Sequence, residues 1–255
     1  MIRPQTLVDR SAIVTGAAQG IGKAIANDLV RHGANVLIAD MDGDKAAATA
    51  AAIAEQWGVK TAVSIGDLCT EDTNQAMLAV ALKEFGQLDI LVNNAGGGVI
   101  KDFLDHTPET LKTTIDRNLW TVIWGCRTVL PTMIKQGYGR IVSIGADSVR
   151  NGLWQHAAYN AAKGGVHGIT TGLAREFAQS GVTFNAVAPC AVRTEQVDEI
   201  MKAYPEAFEK FISVIPMARP GEMDEVASMV TYLSGEEAAF LTGQTISVNG
   251  GSTML

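Results

Sequence analysis

Short apolar runs rich in β-branched residues recur along the chain, at Ala12–Thr15, Asn35–Ala39, Thr61–Ile65, Ile90–Val92, Arg140–Ile144, Val182–Val187 and Thr245–Val248. Between them apolar positions fall three and four apart, as in Ile21, Ile25 and Leu29 or across Ala46–Ile53, the period of a helix with one covered face. The strands are apolar almost throughout instead of at alternate positions, so both their faces are covered. With a helix between successive strands they run parallel, joined by right-handed crossovers. The pattern predicts an α/β chain: a doubly wound parallel sheet of about seven strands with helices on both faces.

The punctuation agrees. Gly33, Gly58, Gly86 and Gly181 fall just past helical segments, where a left-handed cap suits glycine, and Thr107-Pro108 supplies an N-cap and first-turn proline. One stretch breaks the rhythm: residues 195–222 are amphipathic, carry Met and aromatic side chains, and follow Pro189, with Pro220 near their end. They read as an insertion between the sixth strand and the last helix, long enough to form a lid. No repeat, low-complexity tract or linker interrupts the chain, so residues 1–255 are expected to form a single domain.

Composition narrows the function classes. Twenty Lys+Arg against 27 Asp+Glu give a net charge of −7 with no basic run, which argues against nucleic acid and anionic membranes as partners. Cys69, Cys126 and Cys190 are odd in number and widely spaced, so neither a disulfide framework nor a metal site is expected. No apolar stretch has the roughly 18 residues of a membrane span, and the N-terminus reads as a first strand, not a leader. A cytoplasmic protein is the expectation.

The first strand runs into Thr15-Gly16-Ala17-Ala18-Gln19-Gly20-Ile21-Gly22 and then a helix. Glycines there allow the tight turn and let backbone amides approach a pyrophosphate at a helix N-terminus, the Rossmann-type arrangement. Asp40, 18 residues past Gly22, ends the second strand. Its carboxylate can accept from both adenosine ribose hydroxyls and repels a 2′-phosphate, while neighbouring Gln19 and Met41 supply no cation to receive one. NAD is therefore expected over NADP; the alternative role for Asp40 is a turn or helix cap.

In order along the chain stand TGAAQGIG, Asp67-Leu68 after the third strand, Asn93-Asn94-Ala95-Gly96 after the fourth, Tyr159-Asn160-Ala161-Ala162-Lys163, and Asn249-Gly250-Gly251. Together they resemble the short-chain dehydrogenase/reductase family over nearly the whole chain. The resemblance implies that Gly16, Gln19, Gly20, Ile21, Gly22 and Asp40 hold the cofactor's phosphate and ribose end, and that Asp67 and Leu68 contact adenine. Asn94, Ala95 and Gly96 would line its ribose, and Pro189, Val192 and Thr194 would hold the nicotinamide carboxamide, with Cys190 where that family has glycine. The family also implies a homotetramer built on the helical segments Pro108–Gln136 and Ala157–Ser180. The glycines 164, 165, 168 and 172 permit close packing there or on the chain's own sheet.

Tyr159 and Lys163 are four apart in a helical segment, so their side chains share one face. A tyrosine with pKa near 10 is a poor base near neutrality. A nearby ammonium stabilises the phenolate; bringing the phenol's pKa down to about 7 takes roughly 4 kcal/mol of such stabilisation. The pair predicts proton removal by Tyr159 from a secondary alcohol as hydride leaves for the cofactor, with Lys163 also held to the nicotinamide ribose. Asn118 matches the family's residue that holds a relay water; by itself it could equally be a surface helix residue.

Thirteen residues before Tyr159, where the family places a substrate-orienting serine, stands Ala146. Three readings compete: a natural replacement compensated by Ser148, a shifted alignment in which Ser143 serves, or a serine replaced by alanine to disable the protein for crystallisation. The completeness of the other catalytic residues favours the third. Around this centre Val99, Ala146, Ser148, Trp154 and His156, with Gly97, Gly98, Leu153, Met201 and Phe208, suggest an apolar slot suited to a ring. His156 could bond a second hydroxyl or a carboxylate, or merely be solvated; Arg150 and Arg193 could receive a carboxylate. Leu119–Pro131, Tyr159–Val166 and the ending ISVNGGSTM look closest to cyclic diol dehydrogenases of bacterial aromatic degradation and to alicyclic alcohol or hydroxyacyl-CoA dehydrogenases. A 3-oxoacyl thioester reductase and a catalytically silent nucleotide-binding module are the alternatives. Ala146→Ser is expected to raise turnover by roughly 10²–10³, the scale of one restored preorganised donor; an unchanged rate means that Ser148, or nothing, fills that role.

Overall fold

The computed structural model describes residues 5–254. Met1–Pro4 and Leu255, the ends of the expected 1–255 domain, lie outside the described residues, as do the side chains of Gln196, Ile200, Ala207 and Lys210 within the expected lid. Seven strands form one sheet: β1 (Ser11–Thr15), β2 (Asn35–Asp40), β3 (Thr61–Ile65), β4 (Ile90–Asn93), β5 (Gly139–Ile144), β6 (Val182–Pro189) and β7 (Thr245–Val248). Their order is β3-β2-β1-β4-β5-β6-β7 and every pairing is parallel.

The continuous apolar strands have the expected cause. Along β1, Ala12 and Val14 join one buried cluster while Ile13 joins the other; Val36 and Ile38 divide from Leu37 and Ala39 in the same way along β2. The first cluster is closed by α1 (Gly20–Arg31), α2 (Gly43–Trp57) and, near the C-terminus, the helix Met223–Ser234, through Ile25, Leu29, Ile53, Val226 and Val230. The second is closed by α3 (Glu71–Phe85), the helix Thr121–Gln136 and the helix Ala157–Glu176, through Met77, Ala81, Val129, Met133 and Val166. Each fully buried Ile, Leu or Val contributes on the order of 1.5–3 kcal/mol, so the two faces together carry most of the fold's driving force.

The helical stretch after Thr107 departs from the regular pattern. It opens as α4 (Pro108–Ile115), on a Thr107–Thr110 capping box, and resumes as α5 (Thr121–Gln136), but Asp116–Trp120 between them is a π turn. Two polar side chains compete with the ladder there: Thr121 Oγ1 donates to the Arg117 carbonyl at 3.0 Å and Asn118 Nδ2 to the Thr114 carbonyl at 2.8 Å. Such turns gather at functional sites because they shift the register of the residues they carry. The short α6 (Ser148–Asn151) and long α7 (Ala157–Glu176) follow β5. At Gly165 a Cβ would lie 2.8 Å from Leu119, so this glycine lets α7 close on the π turn, whereas Gly168 and Gly172 face open space.

Residues 195–222 contain α8 (Glu195–Ala203) and α9 (Pro205–Ile212), split at Pro205 and followed by α10 (Met223–Ser234). At their base Arg193 N–H donates to the Gly221 carbonyl at 2.8 Å and Gly221 N–H to the Ala191 carbonyl at 2.9 Å.

From β1 the chain winds outward one way through β2 and β3, and from β4 the other way, so the carboxyl ends of β1 and β4 bound a crevice. The crevice floor is fastened by two side chains. Thr15 Oγ1 accepts the amides of Asn94 and Ala95, at 3.0 and 2.9 Å, and Asn94 Nδ2 donates to the carbonyls of Thr15 and Gly16, at 2.9 and 3.0 Å. Asn94→Ala leaves those carbonyls without their partner and is expected to destabilise the fold by about 1–3 kcal/mol in chemical denaturation; an unchanged midpoint and slope would contradict this.

Candidate active site

On one wall of the crevice the glycine loop leads into α1. Gln19 occupies the N-cap position in an extended conformation without a side-chain cap, and no acidic residue stands in the first turn. The leading amides of α1, those of Gly20, Ile21 and Gly22, are thus left for an anion at the positive end of the helix. Close packing explains Gly22, where a Cβ would come 2.2 Å from the Gly16 carbonyl oxygen, while the space beside Gly20 is open. These residues fit a dinucleotide pyrophosphate.

Asp40 Oδ2 accepts the Ala18 amide at 3.0 Å and Oδ1 the Asp42 amide at 3.1 Å, leaving lone pairs for ribose hydroxyls. A cation does stand close by, contrary to the sequence expectation: Lys45 Nζ, from α2, donates to Gln19 Oε1 at 3.1 Å and pairs with Asp42 at 3.3 Å. Asp67 accepts the Cys69 amide at 3.0 Å, and that bond, aided by Arg117, holds its carboxyl below the usual range. Leu68 is buried in the second core cluster, so its side chain is already committed to the core.

On the other wall the catalytic candidates meet around Gly96–Gly98. A Cβ at Gly96 would lie 2.8 Å from Asn118 Oδ1 and 3.6 Å from Lys163 Nζ; one at Gly98 would lie 3.2 Å from Tyr159 Cδ2 and 3.6 Å from Asn118 Nδ2. Lys163 is buried, its Nζ donating to the Ile144 carbonyl at the end of β5 at 2.7 Å and lying 5.8 Å from the Tyr159 ring centre. Asn118 is equally buried, with Nδ2 donating to the carbonyls of Gly97 and Thr114 and Oδ1 accepting the Gly97 amide.

Electrostatically the pair differs from the sequence expectation. Burial pushes the Tyr159 phenol up to about 12 and the Lys163 ammonium down to about 8. Desolvation opposes the charged form of each, and in the protein alone it outweighs the attraction between them. One turn beyond Lys163, His167 Nε2 lies 3.5 Å from the Ala146 amide, and burial, with Arg150 and Lys163, takes this ring down to about 4, leaving it neutral. Sequence reasoning overlooked it, although the spacing Tyr159, Lys163, His167 on one helix face was there to read.

Ala146 is buried, and the two serines offered in its place are engaged elsewhere. Ser148 Oγ donates to Asn160 Oδ1 at 2.6 Å, and Ser143 Oγ accepts from Asn93 at 3.3 Å. Next to Ala146 the buried Asp147 accepts from Asn249 at 2.9 Å and from Thr253 at 2.5 Å, tying the Asn249-Gly250-Gly251 segment to this loop. Pro189 ends β6 with its carbonyl on the Asp147 amide, at 2.9 Å. Val192 is buried in the first core cluster, and Thr194 Oγ1 accepts the Val197 amide at 3.3 Å at the start of α8. Burial raises the Cys190 thiol to about 11, which makes it a poor nucleophile.

The substrate side is partly redrawn. Arg150 donates to Ser247 and the Thr245 carbonyl, and Arg193 to Asp198, so both guanidiniums are committed within the chain. Phe208 lines a cavity of about 490 Å³ with Ile212, Ile215, Pro216 and Pro220, away from Tyr159. The lid residue that reaches the active site is Phe211, stacked on His156 at 6.3 Å, and the His156 ring stands edge-on to Tyr159 at 5.8 Å. Val99 is half-buried, its amide on Thr114 Oγ1, and Trp154 is exposed.

A glycine cradle at the switch point and a Tyr–Lys pair under a lid define a dinucleotide-dependent oxidoreductase, and comparison with known proteins agrees. Residues 16–253 match the family model described as enoyl-(acyl carrier protein) reductase. The chain belongs to the short-chain dehydrogenase/reductase family and is a nicotinamide-dependent oxidoreductase. It is 58% identical over 244 residues, 96% of this chain and 94% of the relative, to 2,3-dihydroxy-2,3-dihydro-p-cumate dehydrogenase of Pseudomonas putida F1. A 3-oxoacyl-acyl-carrier-protein reductase of Staphylococcus aureus is 34% identical, covering 96% of this chain and 98% of its own. Among solved structures, levodione reductase superposes with a TM-score of 0.90 at 28% identity, covering 96% of this chain and 98% of that one.

Tyr159→Phe is expected to cut alcohol oxidation by about 10²–10⁴ while leaving the melting temperature close to its original value. With the native phenol held protonated near neutrality, only its ionised form accepts a proton, so the oxidation rate should climb as pH rises above neutral; a rate that falls over that range contradicts the assignment.

Proposed function

We propose that this enzyme oxidises a cyclic cis-diol to the hydroxyketone with NAD+. The observation that carries the reading is the 58% identity, over 96% of the chain, to a dihydrodiol dehydrogenase. The bound nicotinamide supplies a hydride-accepting carbon and a positive charge beside the phenol. Tyr159 takes the hydroxyl proton at Oη. Lys163, fixed by the Ile144 carbonyl, orients the ribose and favours the phenolate. Asn118 fastens the Gly96–Gly98 turn; because its side chain is spent on Gly97 and Thr114, a relay water would be held by its backbone carbonyl in the π turn.

Asp40, with Ala18 and Asp42 amides on its two oxygens, supports NAD over NADP, because a 2′-phosphate would be placed against a carboxylate. Lys45 is held by Gln19 and Asp42, so receiving that phosphate would first require breaking both contacts. The exposed Phe103, Leu104 and Trp120, beside α4 and α5, support a homotetramer assembled through these helices. Three free cysteines suit a cytoplasmic setting.

The test is a panel of cis-diols, cyclic alcohols and 3-oxoacyl thioesters with each nicotinamide cofactor. The expected result is highest kcat/KM for a cis-diol, with NAD+ at least tenfold better than NADP+. Thioester reduction with NADPH as the best activity would replace this reading with the 3-oxoacyl reductase one, and tight NADH binding without turnover would favour a silent binding module.

A further inference from the structure

We infer that His156 is the specificity-determining residue for a diol, accepting a hydrogen bond from the hydroxyl adjacent to the one being oxidised. This rests on the diol reading above.

The ring's chemistry is fixed by its own backbone. His156 Nδ1 lies 2.6 Å from the Trp154 carbonyl oxygen, which can only accept, so the proton is on Nδ1. In the neutral ring Nε2 is then a bare lone pair. Nε2 makes no hydrogen bond among the described residues and is not among their buried unpartnered atoms, so it is open to solvent and to a bound molecule. An acceptor at that point welcomes a hydroxyl. It opposes a carboxylate or carbonyl oxygen, which bring lone pairs of their own.

The ring's position is fixed as well. His156 is three residues before Tyr159, at the N-cap of α7, and stands edge-on to that ring at 5.8 Å while stacked on Phe211 of the lid at 6.3 Å and 20°. Gln155, just before it, holds φ at +63°, an uncommon conformation for a residue with a side chain, and its amide is tied to Asp102 at 3.3 Å. The two oxygens of a vicinal cis-diol sit side by side on one face of the ring. With one at the Tyr159 hydroxyl, its neighbour is directed along the same helix face toward His156. The methyl group of Ala146 offers the substrate no hydrogen bond, so the neighbouring ring acceptor stands without a competing side-chain donor at that position.

The test uses His156→Phe, which keeps an aromatic partner for Phe211 and removes both nitrogens, and His156→Asn, which restores an acceptor. For each, kcat/KM with NAD+ is measured on cis-1,2-cyclohexanediol and on cyclohexanol, alongside the melting temperature. Binding of the diol to the enzyme–NADH complex, read by nicotinamide fluorescence, gives the same ratio without turnover. The expected result is that His156→Phe lowers kcat/KM for the diol about tenfold more than for cyclohexanol, mostly through KM, and that His156→Asn partly restores the ratio. Equal losses on both alcohols, or an unchanged ratio, would overturn the inference while leaving the diol reading intact. An unaltered chain that does not prefer the diol in either turnover or binding removes the diol reading and this inference together.

Discussion

The fastening of β1 to β4 by Thr15 and Asn94 is the constraint on which the site rests. Parallel sheets whose order reverses open a crevice at the reversal, and the backbone groups on its floor are half-buried, where water serves them poorly. Here the Thr15 hydroxyl and the Asn94 carboxamide satisfy them across the gap. The glycine loop on one side and the Gly96–Gly98 turn on the other are thereby held in fixed relation. The leading amides of α1 and the Tyr159–Lys163–Asn118 group inherit their separation from that clasp, although they come from distant parts of the sequence.

The second governing effect is desolvation. Lys163 has a carbonyl, not a carboxylate, as its hydrogen-bond partner, and in a dry site its ammonium is easily lost. The phenol beside it is correspondingly hard to ionise. By itself the protein holds a neutral phenol beside an ammonium that burial weakens but does not discharge at neutral pH. A further positive charge in the cleft would favour the phenolate, so under the proposed function the tyrosine becomes a stronger base once the cofactor is bound.

Much of this was legible in the sequence because it depends on local pattern. Strands apolar at every position could only be covered on both faces, and the split of Ile13 from Ala12 and Val14 is the three-dimensional form of that pattern. The glycine loop, Asp40 and the Tyr159–Lys163 spacing likewise carry their chemistry in residue type and separation. What escaped depends on tertiary neighbours. Lys45 reaches Gln19 from another helix. The π turn arises from Thr121 and Asn118 bonding back to carbonyls, which no hydrophobic period records. Phe211 and not Phe208 meets His156, a choice decided by how α9 lies on the body. The direction of the Tyr159 shift follows from burial, which spacing cannot measure.

The two hydrogen bonds of Gly221, to Ala191 and from Arg193, join the ends of the lid in a narrow neck. Past α9 the segment is anchored again, by the buried Ile215 and by the Met217 N–H donating to the Gly250 carbonyl at 3.1 Å, but α8 and α9 themselves make no strand pairing and can be rewritten without disturbing one. Substrate range and hydride-transfer machinery can therefore diverge independently in evolution, with new ring shapes admitted by changes in α8 and α9 while the crevice beneath stays as it is.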